Sequence, residues 1–330
     1  MVQIPDKRLF HNFTAIINPY TIFMARIIIG IHGLGNKPDK PTLKKWWRMS
    51  MIEGLKSIGK EDTSISKFEM VYWADVMYDK PLDKSVKDPE NPYFIEEKYT
   101  KAPSDFQVED HSLRMSIIDF FGKQLNDIFL NEDFSLNYSF ITDYIVSKYF
   151  RELEVYYRDD CEENIQECKA KDKIKSRLVN ALEKYKNDEI MLVCHSMGTI
   201  IAYDVLTFLA PQIKVHSLVT MGSPLGLPVI ISKIAAEHKR RMEKEIKMVT
   251  PPGVYINWFN FSDILDKIAF NFKLADDFTE NDHGVKPVDF QVVNDYHING
   301  VHNPHKSFGY LRTKEFAKVL YEFITRDKAL

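Results

Sequence analysis

Residues 190–209 read IMLVCHSMGTIIAYDVLTFL, and no other stretch constrains the fold as tightly. A continuous apolar run, Ile190 to Cys194, stops at His195-Ser196-Met197-Gly198, and apolar residues then resume at helical spacing to Leu209, ahead of Pro211. A short apolar run without alternation fits a strand covered on both faces. Such a strand passing into a helix through so tight a turn predicts a mostly parallel sheet packed with helices.

The rest of the chain repeats the pattern. Arg26–His32 (RIIIGIH) predicts a strand, followed by a glycine-rich turn and a helix over 41–58, with Pro41 in its first turn and Gly59 as its stop. Further strands are predicted over 68–74, 215–221, 254–261 and 288–293, with helices over 173–185, 227–247 and 308–325. Between the second strand and Ile190 the pattern breaks. Residues 79–104 are rich in proline, lysine and acidic residues and predict an irregular connection. Residues 112–130 and 141–157 carry apolar residues at helical spacing. A segment of this length is too long for a connection. The expected organisation is an N-terminal arm over 1–25 and one α/β domain over 26–330, its core formed by 26–76 and 174–330 and interrupted by a mainly helical cap over 77–173.

Composition excludes several function classes. The 330 residues carry 44 basic and 47 acidic side chains, so no net positive field draws the chain to nucleic acid. The apolar stretch near the N-terminus is interrupted by Asn18-Pro19 and Arg26, which leaves it short of a membrane span. Peripheral contact with a membrane is compatible with the same composition. Three cysteines, Cys161, Cys168 and Cys194, make no disulfide framework and read as reduced thiols of a cytoplasmic protein.

The chemistry centres on Cys194-His195-Ser196-Met197-Gly198. A serine on a sharp strand-to-helix turn is lifted above the sheet, beside a helix N-terminus whose free N–H groups face developing negative charge. Small residues at 194 and 198 let strand and helix backbones approach. The hydroxyl needs a base, so a histidine must reach it. His32-Gly33-Leu34-Gly35 follows the first strong strand, and the amides of Leu34 and Met197 are the expected oxyanion donors.

These pieces resemble the α/β-hydrolase superfamily in its lipase and esterase branch. The similarity rests on HGLGNKP after the first core strand, CHSMGT at the elbow, TMGSPLGL after the next strand, NFSDILD after the following one and HKSFGYL before the last helix. Cys194 stands where glycine is commoner, and 77–173 matches no part of the family. The resemblance implies a triad in the order serine, acid, histidine. It implies Ser196 as nucleophile and Asp263 as acid, with Asp266 as the rival. It implies His305 as base, with His302 and His297 as rivals. Gly33 and the loop Gly222-Ser223-Pro224-Leu225 are the expected substrate-contacting residues. No metal and no organic cofactor are expected. The implied activity is hydrolysis of a small-molecule or acyl-lipid ester through an acyl-enzyme. Acyl transfer to an alcohol, or a non-catalytic binding role on the same scaffold, are the alternatives.

Overall fold

The computed structural model describes residues 25–104, 156, 165–242, 248–269 and 273–326. Six parallel strands form the central sheet: β1 (Arg26–Ile31), β2 (Phe68–Val71), β3 (Glu189–His195), β4 (Val215–Met221), β5 (Val254–Asp263) and β6 (Pro287–Val292), in the order β2-β1-β3-β4-β5-β6. The neighbouring interior strands β1 and β3 bury both faces, which is why they read as unbroken apolar runs. Ile27, Ile29 and Ile31 of β1 pack into one core with Ile190, Leu192 and Cys194 of β3. Ile28 of β1, with Met191 and Val193 of β3, enters the core on the opposite face.

Helices close both faces. On one side lie α1 (Lys40–Ser57) and the C-terminal α8 (Lys314–Thr325), burying Leu43, Trp47, Met51, Phe316 and Leu320. On the other lie α3 (Ile165–Lys184), α4 (Met197–Asp204) and α5 (Pro228–Met242), through Leu178, Ile200, Ile201, Ile230 and Ile234. Short helices complete the set: α2 (Ala74–Met77) after β2, α6 (Leu274–Asp277) before β6, and α7 (Ser307–Tyr310) before α8. Asp39 caps α1 by accepting the Thr42 N–H at 3.0 Å, and Gly59, at φ +70, ends the helix as expected.

Three local expectations change. The helix expected over 308–325 is two helices, because Arg312 turns inward to Asp295 (2.5 Å) and Glu53 (3.3 Å), while Thr313 caps α8 through the Phe316 N–H. The helix after Ser196 ends in a π-turn at Val205–Leu209. A hairpin, β7 (His297–Ile298) with β8 (Val301–His302), turns through Asn299 (φ 52) and Gly300 (φ 76). Asn-Gly with both residues at positive φ is the turn that joins two strands so short.

Residues 79–104 lack regular structure but are anchored at both ends. The Asn36 side chain donates to the Lys80 carbonyl at 2.9 Å, and Tyr296 donates its hydroxyl to the Lys98 carbonyl at 2.7 Å. The arm over 1–25 and the cap helices over 112–130 and 141–157 lie outside the described residues, save Ala25 and Tyr156. Tyr156 donates to the buried Asp204 at 2.7 Å, and Lys175 pairs with the same carboxylate at 3.0 Å. That contact fastens the inserted segment to the end of α4.

Candidate active site

The turn between β3 and α4 holds Ser196 at φ 53 and ψ −127, a left-handed backbone that a side chain other than glycine seldom adopts. The cost is local strain of ~1–3 kcal/mol, held by the surrounding packing. The Ser196 N–H donates to the Met221 carbonyl at 3.0 Å. Thr199 donates its hydroxyl to the Ser196 carbonyl at 2.7 Å, and Ser223 braces Thr199 at 2.9 Å. Gly198 permits the approach of α4 to β1, since a Cβ there would lie 2.7 Å from the Ile31 carbonyl oxygen. The Ser196 side chain caps no helix N–H, which leaves Oγ for other partners.

Its partner is His305. Ser196 Oγ lies 3.0 Å from His305 Nε2, and His305 Nδ1 lies 2.8 Å from Asp266 Oδ2. Asp266 is buried and accepts three further donors: the N–H groups of Ile268 (2.9 Å) and Ala269 (3.4 Å) and the Tyr310 hydroxyl (2.7 Å). The carboxylate is therefore oriented and kept as an acceptor, with Nδ1–H of the histidine as donor.

Asp263, the aspartate preferred from the sequence, does not touch the histidine in this arrangement. It ends β5, fully buried, and its carboxylate accepts the N–H groups of Leu265 (2.7 Å) and Asn294 (2.6 Å). It ties the end of β5 to the chain leaving β6. Asp266 lies one turn further on, with its N–H donating to the Asp263 carbonyl at 3.0 Å, and that turn carries its carboxylate to His305. The rival histidines are also accounted for. His302 reaches the Asn294 carbonyl at 2.6 Å and His297 the Asp295 carbonyl at 3.0 Å, and the two rings stack across the hairpin.

Tyr310 escaped the sequence reading. Its hydroxyl accepts the Asp263 N–H at 2.9 Å and donates to Asp266, so one buried oxygen links both aspartates. Tyr310→Phe is expected to weaken the support of Asp266 by about 1.5 kcal/mol, roughly tenfold in kcat, with little change in KM. Turnover measured on the folded variant checks this, and an unchanged kcat would remove Tyr310 from the assembly.

The other flank is the turn after β1. A Cβ on Gly33 would lie 2.6 Å from Ser196 Cβ, so only glycine lets this turn close over the serine. His32 fixes the turn: its Nε2 accepts the Trp73 N–H at 3.0 Å, which leaves Nδ1–H to donate to the Gly33 carbonyl at 2.8 Å. Lys37 donates to the carbonyls of Leu34 and Gly35. Leu34 and Gly33 line a cleft of about 520 Å³ that also contains Ser196 and His305. Met197 is the first residue of α4.

The loop Gly222-Ser223-Pro224-Leu225, expected to contact substrate, is instead buried behind the site. The left-handed turn at Gly222 (φ +53) passes against Asp266 and His305, where a Cβ would meet Asp266 Oδ2 at 2.8 Å and His305 Nδ1 at 3.1 Å. These residues do not line the cleft. Among the described residues, no cluster of histidine, cysteine and acidic side chains is arranged to hold a metal ion. No described helix is long and apolar enough to cross a membrane.

Three buried histidines are held neutral. Burial, then the charge of Lys37, pushes His32 down to about 3. Burial, then the charge of Arg326, pushes His216 down to about 4. Burial, then His305, holds His195 well below the usual range, and its ring bonds the His305 carbonyl at 2.6 Å. In the unfolded chain such groups titrate near 6.5, so below that pH the unfolded state binds more protons than the native state. Their contribution to stability is therefore full above about 6.5 and is lost progressively toward about 3 for His32 and about 4 for His216. Denaturant midpoints at graded pH should show this decline, and His32→Gln, which retains an acceptor for Trp73, should flatten it. A midpoint independent of pH across that window would contradict the neutral assignment.

The parallel sheet, the helices on both faces and the serine–histidine–aspartate contacts define an α/β-hydrolase fold. No protein-family model matches the chain, and no curated protein matches it in sequence.

Proposed function

We propose that the protein is a serine hydrolase that cleaves a carboxylic ester through an acyl-enzyme. The observation that carries this reading is the continuous path from Ser196 Oγ through both nitrogens of His305 to Asp266, at 3.0 and 2.8 Å. Ser196 attacks the carbonyl carbon while His305 Nε2 takes its proton. Asp266 holds the ring in the required tautomer and stabilises the imidazolium. The amides of Leu34 and Met197 receive the oxyanion. His305 returns the proton to the leaving alkoxide, and water then attacks the acyl-enzyme with the same histidine as base.

An acyl or lipid-like substrate is supported by the apolar walls of the cleft, which include Leu34, Leu43, Trp46, Phe94 and Phe308. The inserted segment 77–173 is the expected source of selectivity, and its described part supplies Leu82, Phe94 and Ile95 to the cleft. The direct test is labelling with a fluorophosphonate, which reports an activated serine without knowledge of the substrate. Modification confined to Ser196 is the expected result, and an unreactive native protein would overturn the reading.

A further inference from the structure

The segment 79–104 spans the mouth of the site. Near its start, the Leu82 N–H donates to the Lys37 carbonyl at 2.9 Å, beside the Gly33–Gly35 turn. Near its end, Glu97 reaches the loop that carries His305. One carboxylate oxygen accepts from the Asn303 side-chain amide and the other from Lys306 Nζ, at 2.5 Å for the lysine. Asn303 and Lys306 bracket the histidine in the chain. Asn303 Oδ1 also accepts the His305 N–H at 3.0 Å.

An ionised carboxylate only accepts hydrogen bonds, so it dictates which end of the Asn303 amide faces it. The NH₂ group must point to Glu97, and the carbonyl oxygen is thereby presented to the His305 backbone. Burial opposes ionisation of Glu97, but Lys306 and the amide of Asn303 outweigh it, and the group titrates below the usual carboxylate range. We infer that Glu97 is a positioning residue that sets the His305 backbone, and hence the proton-transfer geometry, through the Asn303 side chain. The inference rests on the serine hydrolase reading for its kinetic consequence and on the hydrogen bonds alone for its structural one. It also gives the segment 79–104 a role beyond connection: it couples the turn over Ser196 to the loop of its base.

The test compares Glu97→Ala, Asn303→Asp and Lys306→Met with the unmodified full chain, using p-nitrophenyl acetate kinetics, thermal melts and amide hydrogen exchange. Asn303→Asp retains the acceptor for the His305 N–H but sets two carboxylates against each other. Glu97→Ala and Asn303→Asp should each lower kcat by ~10- to 100-fold with KM little changed, as expected of a small misplacement of the base. Both should lose exchange protection over residues 303–306 and keep it in β3 to β5. Lys306→Met leaves the Glu97–Asn303 bond in place but removes one of the groups that hold Glu97 ionised, so it should lower kcat by less than Glu97→Ala does. Unchanged protection over 303–306 in Glu97→Ala would overturn the inference, and so would a rise in KM at constant kcat, which would make Glu97 a substrate contact. Absence of fluorophosphonate labelling in the wild type would defeat the hydrolase reading, while the exchange measurement would still decide the role of Glu97.

Discussion

Ser196→Ala is expected to abolish the proposed ester turnover, with a loss of ~10⁶-fold in kcat, because the proposed acyl-enzyme forms on this hydroxyl. The protein should remain folded. Alanine keeps the backbone at φ 53 no worse than serine does, and the side chain removes only its bond to His305. The thermal melt therefore stays close to that of the wild type, and fluorophosphonate labelling disappears. Hydrolysis of p-nitrophenyl acetate measured beside the melt makes the distinction. Retention of more than a few per cent of activity would assign the chemistry to another group.

The second large effect separates two aspartates only three residues apart. Asp266→Asn should lower kcat by ~10⁴-fold, because an amide NH₂ facing His305 Nδ1 imposes the wrong tautomer. Asp263→Asn should behave differently. Its carboxylate accepts the Leu265 and Asn294 N–H groups, and an amide can accept only through its oxygen. One buried donor then faces another, at a cost of ~1–3 kcal/mol in stability. Activity of the folded Asp263→Asn fraction should remain within about tenfold of wild type. The reverse ranking, with Asp263 the more damaging in kcat and Asp266 mainly destabilising, would restore Asp263 as the acid.

The strands and the elbow were legible because their constraints are local. A strand buried on both faces must be apolar throughout, as Ile27–Ile31 and Ile190–Cys194 are, and a serine between such a strand and a helix has few structural roles. The glycines at 33 and 198 follow from the same close approach. His305 was legible through its position ahead of the last helix. Asp263 misled because proximity to a strand end was the guide, whereas the distance to His305 depends on the turn that follows. For Gly222–Leu225 the family resemblance implied a cleft wall, while the left-handed turn at Gly222 packs that loop against Asp266 and His305.

The sequence by itself determined the class of fold and the sharp strand-to-helix turn that carries Ser196, since both are written in contiguous residues with a defined hydrophobic period. Only the tertiary structure decided which aspartate meets the histidine, that Tyr310 joins both aspartates, and that Glu97 reaches Asn303 and Lys306. Those partners stand 39 to 209 residues apart in the chain. Their meeting depends on side-chain reach across neighbouring loops, at a scale of a few ångströms that no local pattern encodes.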